Sequence, residues 1–229
     1  EKKTGDVDDL STLEDFVAGL ALEDDDLEAF LLDSLNLPQV LNYLAVRSIT
    51  QDADDVRKNF YVYKDTHGDG EWSIFPWDKD WTFGITGDGG QFLKHPFFGD
   101  EAHRKDNALQ WNKLYDAVFG VKSTRDMYLR RLRTCMDSML QPEGTPEEEL
   151  RFETRVDELF EGAAGSNVPS SAATMVKRFF PERRRDLYET YSNLIPGSQE
   201  AMPQINIGDI EFQPASGIQD EEYIQLINP

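Results

Sequence analysis

Asp54, Asn59, Asp78 and Asp80 are the residues of this chain whose types and spacing could do chemistry. Asp54 and Asn59 stand five apart, just ahead of the run Phe60-Tyr61-Val62-Tyr63. One loop with that spacing can offer a carboxylate to a substrate hydroxyl and an amide oxygen to a metal ion. Phosphoryl transfer needs both jobs done close to the γ-phosphate. A polar turn between helix and strand fits the same letters, and on spacing alone it is the commoner case. Asp78 and Asp80 flank Lys79 in Pro76-Trp77-Asp78-Lys79-Asp80-Trp81. An Asp that ends a buried strand is poised to bind a hard cation through oxygen, and Mg²⁺ commonly takes one or two carboxylates together with nucleotide phosphates. A surface loop with Lys79 paired to an acid competes with that reading, although two tryptophans around paired aspartates is unusual loop chemistry.

Other candidates are weaker. Asp65-Thr66-His67-Gly68-Asp69-Gly70 half-imitates a calcium loop, but His67 replaces an oxygen ligand and Pro76 stands where the closing Glu belongs. His95 and His103, with Asp100 and Glu101 between them, lack the tight repeated spacing of a zinc site. Cys135 is the single cysteine, so no internal disulfide forms, and its apolar helical setting predicts a buried thiol. The runs Arg130-Arg131-Leu132-Arg133 and Arg183-Arg184-Arg185 read as helix faces paired with the chain's many acids.

The elements that must position these groups follow from periodicity. Ser11-Thr12-Leu13-Glu14 spells a capping box, and Leu13, Phe16, Val17 and Leu20 recur at helical spacing. The pattern predicts a second helix from Asp25 to Leu35 behind an acidic start, and a third opened by Pro38 and running through Ile49. Asn59 to Tyr63 and Glu71 to Phe75 then alternate around a glycine-rich turn, which predicts a β-hairpin. Residues 84 to 107 read as a long glycine-rich loop packed by Phe92, Phe97 and Phe98. Helical patterns follow from Asn107 to Val118, after a cap at Ser123, after a cap at Thr145-Pro146, and towards Tyr191 with Pro181 near a kink or break. Beyond Pro196, Ile205 to Phe212 and Tyr223 to Ile227 alternate as strands of a separate β module.

Composition sets the bounds. The 229 residues are 39% hydrophobic, enough for one substantial core with or without a small appendage. A formal charge of −21 repels nucleic acid and anionic membrane, which argues against nucleic-acid partners, and it also serves plain solubility. No run of 18 apolar residues occurs, so no membrane insertion is expected. The chain starts at Glu1 without Met and stops at Pro229. Both ends look like cuts in a longer protein, so a missing signal peptide does not argue for the cytoplasm.

Asn42-Tyr43-Leu44-Ala45, the Asp54 to Asn59 loop, Phe60-Tyr61-Val62-Tyr63 and Phe75-Pro76-Trp77-Asp78-Lys79-Asp80-Trp81-Thr82-Phe83-Gly84, in that order, resemble the CotH kinase family, named for spore coat protein H. The resemblance is closest over residues 40 to 84 and extends to about residue 192. It implies an α+β, mostly helical fold: a protein-kinase-like C-lobe, a small hairpin carrying the metal site, and a C-terminal β segment. It also implies transfer of the ATP γ-phosphate to Ser or Thr of a protein substrate, with Mg²⁺ or Mn²⁺. Asp54 would be the catalytic carboxylate on the acceptor hydroxyl. Asn59 and Asp78 would hold the metal and its nucleotide, with Asp80 as competitor or further ligand. Asp52 and Asp55 stand near enough to compete with Asp54. The family's nucleotide-covering strands and phosphate-binding lysine would lie upstream of residue 1, so residues 1–195 are the C-lobe part alone and this fragment by itself is expected to be inactive. Residues 196–229 form a linker and resemble the start of a lamin-tail domain, which points to a secreted or cell-surface protein. A CotH-like surface or adhesion protein without catalysis is the alternative; the retained acids argue against it.

Overall fold

The computed structural model of the chain describes residues 5–6, 8–52, 58–84, 112–162, 169, 171–198, 206–211, 215–217 and 223–227. Asp54, His95, His103 and the glycine-rich stretch after Gly84 lie outside them. The chain divides into two units, Glu1–Gly197 and Ser198–Pro229. It is mostly helical with two small antiparallel hairpins, an α+β arrangement.

The first unit opens with α1 (Ser11–Gly19), α2 (Asp24–Ser34) and α3 (Leu37–Thr50). The expected capping box does not form. Leu10 occupies the cap position, and the Ser11 amide and hydroxyl both donate to the Asp9 carboxylate instead. Asp9, two residues back, offers one carboxylate oxygen within reach of both Ser11 donors. Asn36 caps α3 by accepting from the Gln39 amide at 3.2 Å, and Pro38 sits in the first turn, where a missing N–H costs nothing.

The hairpin pairs β1 (Phe60–Lys64) with β2 (Trp72–Pro76), Phe60 opposite Pro76 and Lys64 opposite Trp72. β2 turns Trp72 and Ile74 into the core and leaves Phe75 exposed, whereas Tyr61, Val62 and Tyr63 of β1 are all exposed. Then come α4 (Lys113–Gly120), α5 (Lys122–Cys135), α6 (Arg151–Gly162), α7 (Ala172–Lys177) and α8 (Phe179–Arg185). Two predicted caps are again spent elsewhere: Ser123 Oγ donates to Glu28 of α2 at 2.5 Å, and Thr145 Oγ1 to the Pro142 carbonyl at 2.8 Å. Lacking an N–H, Pro181 cannot bond back to Lys177, and the helix breaks at Arg178.

α3 packs chiefly against α5, burying Val40, Leu44 and Ile49 in one core with Tyr128, Leu132 and Met136. Each such side chain contributes about 1.5–3 kcal/mol by leaving water. Cys135 is buried on the same helix. The second unit pairs β3 (Asn206–Glu211) with β4 (Tyr223–Ile227), with a register shift between Ile207 and Ile210. Ile207, Ile210, Ile224 and Leu226 are all exposed.

Candidate functional site

α3 ends in a left-handed turn. Gln51, at φ +48°, is buried, and its amide bonds back to the Arg47 carbonyl. Two buried guanidinium groups brace this terminus. Arg47 Nη2 donates to the Asp52 carbonyl at 3.3 Å and lies over the Tyr115 ring. Arg183 of α8 donates to the Ser48 carbonyl, while Ser48 Oγ and Tyr128 Oη are 2.7 Å apart. Cations suit this position because the last carbonyls of a helix carry partial negative charge. Burial pushes the Arg183 pKa down to about 10 and holds Tyr128 protonated well above the usual tyrosine range. The basic run at Arg183–Arg185 is therefore more than a surface face: Arg184 is also buried, paired with Glu153 at 2.7 Å.

The hairpin is pinned to the same helix. The Gln39 side-chain amide bonds both ways with the Ile74 backbone, its Oε1 accepting from the Ile74 amide at 3.0 Å. The Asn36 amide donates to the Trp72 carbonyl at 2.9 Å. β2 is thus fastened beside the start of α3.

Asn59 and Asp78 lie on the two facing chains at the open end of the hairpin. The Trp77 amide donates to the Asn59 carbonyl at 3.1 Å, one step beyond the Phe60–Pro76 pair, so Asp78 follows directly on the residue bonded to Asn59. Both take left-handed conformations, Asn59 at φ +64° and Asp78 at +54°. Asp and Asn tolerate this region better than other non-glycine residues because their short polar side chains bond locally. Asp78 and Asp80 are exposed and Asn59 is half-buried. Phe83 adds another left-handed residue, at φ +57°, and its amide donates to the Thr50 carbonyl at 2.8 Å. Its ring packs edge-on against Phe179 and Phe180. Strained backbone of this kind collects where neighbouring structure over-determines it, often at functional sites.

Lys79 does not pair with its neighbours Asp78 and Asp80. Its ammonium lies 2.7 Å from Asp52 Oδ2 and donates to Tyr43 Oη at 3.1 Å. The Asp52 side chain is 2% exposed, so its charge faces Lys79 inside the fold. Sequence reasoning did not single out Lys79, Tyr43, Arg47 or Arg183 for this part of the fold. The signal it had was Lys79 lodged between two acids, which suggests a local pair and gives no sign of the inward turn.

The calcium-like turn consumes its own oxygens. Asp65 Oδ1 accepts from the Gly68 amide at 3.0 Å and Asp69 Oδ1 from the Glu71 amide at 2.9 Å. Among the described residues no group of three or more His, Cys, Asp or Glu side chains is gathered as a closed metal cage. A hard cation such as Mg²⁺ or Mn²⁺ needs no such cage. The oxygen-only set of Asn59, Asp78 and Asp80 suits an ion that takes one or two carboxylates and fills its remaining positions with phosphate and water. Nor, among the described residues, is any helix long and apolar enough to cross a membrane.

Compared with known proteins, the chain matches no curated sequence. The family model described as CotH kinase protein matches residues 1–161, a span that takes in the α3 terminus, the hairpin and the Asp78–Asp80 turn. The chain belongs to the CotH kinase protein family.

Proposed function

We propose that this chain is the catalytic-loop and metal-binding part of a CotH-type protein kinase that transfers the γ-phosphate of ATP to a Ser or Thr hydroxyl of a partner protein. The observation that supports the reading is that Asn59 and Asp78 lie on facing chains at the open end of the hairpin, with Phe83 a few residues on bonded to the Thr50 carbonyl of α3. In this reading the Asp54 carboxylate orients the acceptor hydroxyl and takes its proton. The hydroxyl oxygen bonds to the γ-phosphorus as the bond to the ADP oxygen breaks. The Asn59 amide oxygen and the Asp78 carboxylate hold Mg²⁺ or Mn²⁺, with Asp80 as a further ligand. When bound, the ion neutralises charge on the phosphate oxygens. The chain's own contribution is position: a rigid mount for oxygen donors lowers the barrier by keeping reacting groups aligned. The same reading makes the protein secreted or surface-located, with residues 196–229 a linker and a segment that resembles the start of a lamin-tail domain.

The test is phosphate incorporation into a partner protein by the complete protein, compared with Asp54→Asn and Asp78→Asn. Each substitution is expected to abolish labelling while circular dichroism stays unchanged. Full labelling by both variants would remove the reading and leave the non-catalytic surface protein in its place.

A further inference from the structure

We propose that Lys79 is a positioning residue, a clamp that fixes the Asp78–Asp80 turn to α3 and keeps its own positive charge away from those two carboxylates. The inference rests on the kinase reading for the purpose of the turn, and on geometry alone for the clamp. In a chain of charge −21, a lysine between two exposed aspartates can lie along them, since exposed pairs of this kind form and part at little cost. Here the backbone turns left-handed at Asp78, and the Lys79 side chain runs inward to Asp52 and Tyr43, with its ammonium 5.5 Å from the Tyr43 ring centroid. Among the described residues Asp78 and Asp80 make no hydrogen bond or ion pair, and both face solvent.

The clamp joins two backbone ties and one from a side chain. Trp77 is held to Asn59, Thr82 Oγ1 donates to the Lys79 carbonyl at 3.0 Å, and Phe83 is held to Thr50. Residues 77 to 83 are thus fastened at both ends, and Lys79 fastens the middle to a buried charge. Its side chain is 25% exposed, so the route back to Asp78 and Asp80 is open to it once Asp52 stops holding it. The clamp therefore does two jobs: it removes slack from the turn, and it stops an internal cation from occupying the place of a divalent one.

The test uses the full-length protein with Lys79→Met, Lys79→Arg and Asp52→Asn. Amide hydrogen exchange over residues 77 to 83 reports the clamp. Mn²⁺ titration in the presence of ATP, followed by the Mn²⁺ electron-spin signal, reports its purpose. Lys79→Met and Asp52→Asn are expected to speed exchange across the turn while leaving α5 unchanged, and to weaken Mn²⁺ uptake about tenfold, the lower end for residues that orient metal ligands. Lys79→Arg keeps the pair and is expected to stay near the parent in both readouts. Unchanged exchange across the turn in Lys79→Met and Asp52→Asn overturns the clamp. Faster exchange with no Mn²⁺ uptake even by the parent protein leaves the clamp standing and overturns the metal role. Lys79→Met behaving as Lys79→Arg in Mn²⁺ affinity overturns the positioning role.

Discussion

Arg183→Met offers a sharp test of how the end of α3 is held. The guanidinium is fully buried, donates to the Ser48 carbonyl, and has its Nη1 3.9 Å from Asp186 Oδ2. Removing it takes away a charge-assisted hydrogen bond of about 1.5–3 kcal/mol and the counter-charge of a nearly buried carboxylate. Breaking a buried pair from one side costs about 3–5 kcal/mol. One effect opposes this. Burial has already pulled the Arg183 pKa from 12.5 to about 10, so the charged side chain sits there at a penalty that Met does not carry. The net loss should fall at the low end, about 3 kcal/mol, or roughly 6–12 °C in Tm for a chain of this size. Urea unfolding followed by tryptophan fluorescence measures it, with the exposed neighbour Arg185→Met as control, expected within about 0.5 kcal/mol of the parent. A loss below about 1 kcal/mol for Arg183→Met, or an equal loss for Arg185→Met, would refute the bracing argument.

Further expectations follow from the same core. Leu132→Ala, at a fully buried position, should cost about 2–5 kcal/mol by urea unfolding, because α3 and α5 cannot close the gap. Burial raises the pKa of Tyr128, and burial with the Asp137 carboxylate beside it raises that of Tyr188. The unfolded chain releases these protons near pH 10 while the folded chain retains them, so the two tyrosines' contribution to stability should be constant below pH 10 and fall above it, and urea unfolding of Tyr128→Phe should show a smaller loss than the parent above pH 10. Burial also raises the Cys135 thiol, so a thiol reagent at pH 8 should label it only after denaturant is added, and rapid labelling of the native chain would contradict the packing around α5.

Residues that write their structure into local pattern were legible from the letters. Pro38 marked the start of α3, the alternation around Asp65–Gly70 marked the hairpin, and Pro181 marked the break in the last helix. Their positions are set by backbone sterics and by one face meeting one core, which are local facts. The caps at Ser11, Ser123 and Thr145 failed for one shared reason: a hydroxyl bonds the best acceptor in reach. For Ser123 that acceptor is Glu28, distant in sequence. Lys79 escaped in the same way, since its partner Asp52 is brought near only when α3 and the hairpin have packed. In the candidate site, the residue types at Asn59, Asp78 and Asp80 were readable, and the scaffolding by Arg47, Arg183 and Lys79 was not.

The left-handed residues along this stretch bear on how its history can be read. Gln51, Asn59, Asp78 and Phe83 all carry φ between +48° and +64°. Val, Ile or Thr at any of them would strain the main chain whatever the chemistry, at about 1–3 kcal/mol each. Alanine scanning here confounds two losses, the donor group and the shape. Asp78→Asn removes the charge and keeps the conformer, while Asp78→Gly keeps the conformer and removes the donor altogether. A family member without catalysis would still be filtered at position 78 towards Asp, Asn and Gly. An aspartate that persists there among relatives is therefore weaker testimony to a living enzyme than one persisting on ordinary backbone.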